Sequence, residues 1–217
     1  KGLYEGDCKY DEEYGSWYLQ FTDGRKEHVN LFMGVDPAST IGERSDYSVI
    51  MVIGVTAKHD YYVIDYWRER VLPMECAEKI FTLFKQYEPI RRINIETITY
   101  QEMLRDYVQR RSKDEGLFLP GVEKGIKNYG SQKKKDRLFE GLQPMFKQGA
   151  VHLKKKHKEF IGELLDFPKG SHDDIIDAFW LACQFTRGNI VKQFKRGVET
   201  ARRAVKKRYN WMTGARY

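Results

Sequence analysis

Val29-Asn30-Leu31-Phe32-Met33-Gly34-Val35-Asp36-Pro37 is the stretch whose reading decides the fold. Val29 to Val35 is a short apolar run fit for a buried strand, and it ends at Asp36-Pro37, a turn-forming pair. Working outward, Tyr47 to Val55 is a second run, rich in Val and Ile. Tyr61 to Tyr66 is a third, separated from the second by Thr56-Ala57-Lys58-His59-Asp60. Three short strands with turn-like connections predict an antiparallel meander. In the other direction, residues 1–28 are aromatic, charged and punctuated by Gly without a lasting period. They are expected to be an irregular leading segment, the remnant of a linker.

Beyond the meander the period changes. Cys76, Ile80, Leu83, Phe84 and Tyr87 recur at helical spacing, and Pro73 suits the first turn of that helix. Arg92 to Glu96 reads as a short strand, Thr99 to Arg111 as a helix and Leu117 to Val122 as a strand. A Gly- and Lys-bearing loop, 121–130, leads to a basic helix over 131–147, whose inner face is Leu138, Leu142, Met145 and Phe146. A brief strand at 150–153 and helices over 157–166 and 173–185 follow, with Pro168-Lys169-Gly170 between the helices. Strands first, then alternating helix and strand, predict an α/β fold with a mixed β-sheet and helices on its faces. The domain is expected to span 29–186. After Gly188, the stripe Val191, Phe194, Val198, Ala201 and Val205 predicts a basic amphipathic helical tail over 187–217.

Composition narrows the partners. The chain has 217 residues, of which 41% are apolar, enough for one sizeable core. There is no apolar run of the roughly 18 residues a membrane span needs. Three widely spaced cysteines, Cys8, Cys76 and Cys183, form no CxxC pair, which argues against a zinc knuckle or a disulfide framework. The net charge is +7 and unevenly spread: residues 187–217 carry +9, leaving −2 on the rest. A basic appendage on a near-neutral body suggests a polyanionic partner, a solvated charged helix being the plain alternative.

Three sets of acids stand at element ends. Asp36 closes the first buried strand and Glu96 closes the strand through Ile93 and Ile95. Asp173, Asp174 and Asp177 open the last helix of the domain. Strand ends and a helix start can converge on one crevice, and carboxylates gathered there need a positive neutraliser. Mg²⁺ suits hard carboxylate oxygens together with waters and phosphate oxygens. Two such ions about 4 Å apart stabilise the attacking and leaving oxygens of a phosphoryl displacement. Asp36 suits the bridging position, Glu96 one ion, and Asp173 or Asp174 the other. Each acid also has a simpler reading. Asp36 could begin a turn, Glu96 could end a strand in solvent, Asp173 or Asp174 could cap the helix, and Asp177 could lie on its wet face.

These residues carry a family resemblance. Gly34-Val35-Asp36-Pro37-Ala38, with Ser45-Asp46-Tyr47-Ser48 some ten residues on, resembles the first nuclease motif of bacteriophage terminase large subunits. Ile93-Asn94-Ile95-Glu96-Thr97 resembles the second. Gly170-Ser171-His172-Asp173-Asp174-Ile175-Ile176-Asp177-Ala178 resembles the third and is the most specific. Lys133-Lys134-Lys135-Asp136-Arg137, followed by Gly149-Ala150-Val151, fits the family's basic helix and next strand. The resemblance runs from about residue 30 to 186 and implies a ribonuclease-H-like fold. It also implies cleavage of double-stranded DNA, with little sequence specificity, by two Mg²⁺ or Mn²⁺ ions during genome packaging in the cytoplasm of an infected host cell. By position, Asp36, Glu96 and Asp173 match the catalytic acidic triad and Asp174 an adjacent metal-facing acid. At Asp177 members of the family differ.

The chain has no GxxxxGK[ST] phosphate loop, so the motor of such terminases is expected as an N-terminal ATPase domain of a longer protein. Portal and small terminase subunit are the implied partners. Lys124, Lys127, Lys133, Lys134, Lys135 and Arg137, with Arg44 near the first motif, are candidates to neutralise DNA phosphates without reading sequence. Lys154 to Lys158 reads as a solvated run, and His172 as a neighbour of the acids rather than a ligand. Two other readings stand beside this one: another ribonuclease-H-like nuclease such as a junction resolvase, and a non-catalytic basic module that binds DNA or the portal.

Overall fold

The structure, a computed structural model, describes residues 2–38, 47–97, 101–123, 125–126 and 131–186, excepting the side chains of Gln101, 131–135 and Arg137. Among the described residues there are seven strands and five helices: β1 (Gly6–Asp11), β2 (Ser16–Phe21), β3 (Lys26–Asp36), β4 (Ser48–Val55), β5 (Tyr61–Glu69), α1 (Pro73–Gln86), β6 (Ile90–Ile95), α2 (Gln101–Asp114), α3 (Ser131–Lys147), β7 (Val151–His152), α4 (Lys158–Asp166) and α5 (Asp174–Cys183). The sheet runs β1-β2-β3-β4-β5-β7, and β6 also pairs with β3. β3, β4 and β5 form the expected antiparallel meander, while β6 lies parallel to β3 and β7 parallel to β5. This is the mixed sheet that the sequence leads one to expect.

Strand alternation sorts the core into two layers. Leu31, Met33, Val35, Ile50, Val52, Ile93 and Ile95 pack toward α1 and α2. Phe32, Val49, Met51, Ile53 and Val63 pack toward α3, α4 and α5. β4 is buried along its whole length, which is why it reads as a continuous Val/Ile run rather than an alternating one. α1 begins as its sequence directs: Pro73 occupies the first turn, and the Glu75 carboxylate accepts the Leu72 backbone N–H at 2.9 Å.

Two expectations need correction. The leading segment is not irregular: β1 and β2 form an antiparallel hairpin, and β2 pairs with residues 26–29 of β3. Leu19 and Phe21 are buried in the first layer, so the hairpin extends the sheet and its core. Its exposed side is polar, which hid the strand period. The expected strand at 117–122 is instead irregular chain over 117–119 followed by turn over 120–122. Pro120 has no N–H to give a ladder, and Gly121 takes a positive φ of 94° where a Cβ would meet the Ile93 carbonyl at 2.7 Å. Leu119 and Val122 still bury their side chains. No helix among the described residues is long and apolar enough to cross a membrane.

Candidate functional site

One end of the sheet collects the residues of interest. Asp36 is the last residue of β3 and pairs with Val49, which pairs in turn with Arg68 of β5. On the other side of β3, Val35 pairs with Ile95, and the Glu96 N–H donates to the Val35 carbonyl at 3.0 Å. Glu96, Asp36, Val49 and Arg68 therefore form a row across four neighbouring strands, each about 4.8 Å from the next.

Strand alternation gives the row its side. Gly34, two residues before Asp36, faces α5 so closely that a Cβ would lie 2.1 Å from the Ala178 carbonyl oxygen. Asn94, two residues before Glu96, donates its side-chain amide to the carbonyls of Leu181 at 2.8 Å and Gln184 at 3.2 Å. Asp36 and Glu96 thus belong to the α5 side of the sheet. α5 runs antiparallel to β3. Thr186, just beyond its C-terminus, meets the Tyr61 hydroxyl at 3.1 Å at the far end of the strands. Asp174, in its first turn, meets Arg68 at 4.0 Å. The acid-bearing start of α5 consequently lies at the Asp36–Glu96 end of the sheet.

Four of the acids are buried, Asp36 at 7% exposed, Glu96 at 3%, Asp174 at 9% and Asp177 at 0%, whereas Asp173 is half-buried. Glu96 does not end its strand in solvent, and Asp177 does not lie on a wet helix face. Asp173 holds the N-cap position of α5 without a side-chain cap bond. That role falls to Glu163 of α4, whose carboxylate accepts the Ile175 N–H at 2.9 Å and the Ile176 N–H at 3.4 Å. Burial pushes the Glu163 carboxyl up to about 7, while the two amides and Arg68 pull it back toward the charged form. Arg68 also spans Glu159 at 3.7 Å and Glu163 at 3.6 Å, and its guanidinium lies 3.6 Å from the centre of the Tyr47 ring. His172 stands beside Asp174, its Nδ1 at 3.5 Å from the carboxylate, and its ring is edge-on to Tyr47.

Asp36 and Glu96 are thus adjacent, and the helix bearing Asp173, Asp174 and Asp177 starts at the same end. The three sets do not close on a single point: among the described residues, no group of three or more His, Cys, Asp or Glu side chains is arranged to hold one metal ion. The donors still fit a hard divalent cation. They are carboxylates, all but Asp173 buried, and Mg²⁺ needs only one or two of them because it keeps waters and takes phosphate oxygens.

A further segment flanks Glu96. Ile126 donates its N–H to the Ile95 carbonyl at 3.0 Å, and its carbonyl accepts from the Thr97 N–H at 2.9 Å. Gly125 passes so close to Thr97 that a Cβ would meet its side chain at 2.2 Å. Lys124 and Lys127 flank this dipeptide in the sequence, but both lie outside the described residues, as does Arg44. Lys133, Lys134, Lys135 and Arg137 belong to α3 with side chains outside the description, and the 187–217 tail lies outside it altogether.

Reading the sequence missed Arg68 and Glu163, and it quoted Asn94 and Tyr47 within the motifs without giving either a role. Asn94 offered a signal, a polar residue at an inward position of an apolar strand. Arg68 and Glu163 offered none, because charged residues at a strand end and along a helix are ordinary in solvent.

Residues 33–184 match the family described as the Terminase RNaseH-like domain. Among solved structures, the chain resembles the crystal structure of the large terminase nuclease from thermophilic phage G20c with bound zinc. The two share 17% identity over 83% of this chain and 92% of that one, with a TM-score of 0.52. A second crystal structure of the G20c nuclease matches at 16% identity with the same coverage and a TM-score of 0.50. No curated protein matches the chain.

Proposed function

Since the chain belongs to the Terminase RNaseH-like domain family over residues 33–184, we propose that it is the nuclease part of a phage DNA-packaging terminase. It hydrolyses phosphodiester bonds of double-stranded DNA with little sequence preference. The observation that carries this reading is the pair Asp36–Glu96: two buried carboxylates on adjacent strand ends, at the end of the sheet where α5 brings three more acids. Carboxylates so placed are costly to bury unless a cation accompanies them.

In this reading Asp36 and Glu96 hold Mg²⁺ or Mn²⁺, two ions per site, with Asp173 completing the catalytic set and Asp174 and Asp177 as further ligands. Bound there, the ions would lower the pKa of an attacking water and stabilise charge on the leaving oxygen. The protein's own contribution is positional. The β3–β6 pairing fixes Asp36 beside Glu96. Gly34 lets α5 approach β3 at backbone distance. Glu163 and Arg68 anchor the first turn of α5, so its acids are presented at a set depth. Lys124, Lys127, Lys133, Lys134, Lys135, Arg137 and Arg44 neutralise DNA phosphates, and Ile126, which lies between Lys124 and Lys127 in the sequence, pairs beside Glu96. An N-terminal ATPase domain, a portal and a small terminase subunit are the partners this role requires, and the cytoplasm of the infected cell is its setting.

The test is a supercoiled-plasmid assay on the purified chain with Mg²⁺, Mn²⁺, Ca²⁺ or EDTA. Nicked and linear products with Mg²⁺ or Mn²⁺, and none with EDTA, are expected. DNA binding without cleavage in any metal would leave a non-catalytic binding module, and a strong preference for four-way junctions would select a resolvase.

A further inference from the structure

We propose that the apolar stripe of the 187–217 segment, led by Val191, Phe194 and Val198, docks in an open apolar cleft between α3 and α4. The cleft has a volume of about 420 Å³, the size of an ordinary ligand pocket. Leu138, Phe139, Leu142 and Phe146 form its α3 wall, and Ile161 and Leu165 of α4 stand opposite. Among the described residues the lining carries no charge, and its one polar member is Gln143. Phe139 is 46% exposed and Leu165 80%. A lining so apolar gives a polar ligand nothing to orient it. Large apolar side chains left in water along a cleft mark a surface that takes another apolar face, as a groove takes an amphipathic helix.

The place where the described chain ends selects the occupant. Thr186 follows α5, and its hydroxyl meets the Tyr61 hydroxyl at 3.1 Å. The Tyr61 N–H donates to the Ala150 carbonyl at 2.7 Å, and the Ala150 N–H to the Met145 carbonyl at 3.0 Å. The described residues therefore end beside the C-terminal end of α3, where Phe146 closes one end of the cleft. Residues 187–190 reach at most about 14 Å when extended, enough to pass from there into the cleft. Val191, Phe194 and Val198 then recur at i, i+3 and i+7, one face of a helix. They cover about 10 Å of helix, against about 12 Å for the α3 wall from Leu138 to Phe146. Stripe and wall thus match in length as well as in character. Lys192 and Arg196 fall on the opposite helix face, so docking leaves their charge in water.

The experiment is disulfide trapping in the whole chain. Phe194→Cys is paired with Phe139→Cys or with Leu165→Cys, the protein is oxidised mildly, and peptide mass spectrometry locates the bridge among the native Cys8, Cys76 and Cys183. An intramolecular bridge from position 194 to at least one rim of the cleft is expected, whereas Arg196→Cys, on the opposite helix face, should form none with either rim position. Hydrogen exchange supplies a second readout. Phe194→Asp should make the amides of residues 161–165 exchange about tenfold faster, the order expected when a large apolar side chain loses its burial. Circular dichroism and thermal melting confirm that each variant is folded. A bridge that appears only as a covalent dimer when the single variants Phe194→Cys and Leu165→Cys are mixed would overturn the inference in favour of a second copy of the chain. Absence of any bridge from position 194, with parental exchange at 161–165 in folded Phe194→Asp, would overturn it and leave the cleft to another protein.

Discussion

Gly34 and Ala178 are in backbone contact: a Cβ added to Gly34 would lie 2.1 Å from the Ala178 carbonyl oxygen and 2.4 Å from the Ala182 nitrogen. Helix α5 therefore rests directly on strand β3, two residues before Asp36. This contact sets how deeply the acids of α5 reach over the end of the sheet. It also explains the glycine in Gly34-Val35-Asp36 without any appeal to a special backbone angle.

Gly34→Ala should accordingly be severe. Neither neighbour is a flexible side chain that can rotate away, so α5 must lift or β3 must buckle. A loss of about 3 kcal/mol, at the upper end of the usual overpacking range, is expected in urea denaturation. Cleavage should fall further than the folded fraction accounts for. A variant with the parent's urea midpoint would mean that α5 does not sit on Gly34.

Asp36→Asn and Glu96→Gln should each abolish metal-dependent plasmid cleavage while the melting temperature holds or rises. Removing one charge from two adjacent buried carboxylates relieves repulsion in the metal-free protein. The same substitutions should shrink the thermal stabilisation that Mn²⁺ gives the parent. Wild-type cleavage by folded Asp36→Asn would remove Asp36 from the site.

Glu163→Ala should cost about 1–2 kcal/mol, the usual range for a lost helix cap, because the Ile175 and Ile176 amides lose their acceptor. Glu163→Gln keeps an acceptor oxygen and should recover part of that loss. Hydrogen exchange at the first turn of α5 provides the local readout: faster exchange at Ile175 and Ile176 is expected in the Ala variant. Unchanged exchange there would show that the cap does not hold the helix start.

His157 supplies a pH dependence. Burial, and after it Lys156 and Lys154, lower its pKa to about 4, while Asp65 pulls weakly the other way. Its Nδ1 accepts the Lys154 N–H at 3.2 Å, which also requires that nitrogen to be deprotonated. The folded pKa lies below the unfolded value of about 6.5, so the contribution to stability is complete above pH 6.5. It is lost as the pH falls from 6.5 to 4, by up to about 3 kcal/mol. His157→Asn, which can present an amide oxygen to the same N–H but does not titrate, should lose less stability than the parent over that interval. Equal acid slopes in melts at pH 7, 5.5 and 4.5 would exclude His157 as the group responsible.

Much of the fold was legible in local pattern. The runs at Val29–Val35, Tyr47–Val55 and Tyr61–Tyr66 became β3, β4 and β5 because strands covered on both faces leave an unbroken apolar signature. α1 was legible from Pro73 and its apolar spacing. The β1–β2 hairpin was not, since Gly6 to Phe21 mixes exposed aromatics and charges with only a few inward residues, Leu19 and Phe21 among them. The 117–122 segment misled in the opposite way: its apolar residues are buried, but Pro120 and Gly121 withhold the regular ladder.

By itself the sequence determined that acids end two buried strands and begin a late helix, because apolar period and turn chemistry are written in neighbouring residues. It also determined that the chain carries the three terminase-like motifs. Only the tertiary structure decided that Glu96 lies beside Asp36, through the parallel β3–β6 pairing, and that Arg68 and Glu163 hold the start of α5 at that end of the sheet. Asp36 and Glu96 are 60 positions apart, Arg68 and Glu163 are 95, Arg68 and Asp174 are 106, and Glu163 and Ile175 are 12. Those relationships depend on strand order and helix direction, which arise from packing the two apolar layers and leave no mark in the local spacing of side chains.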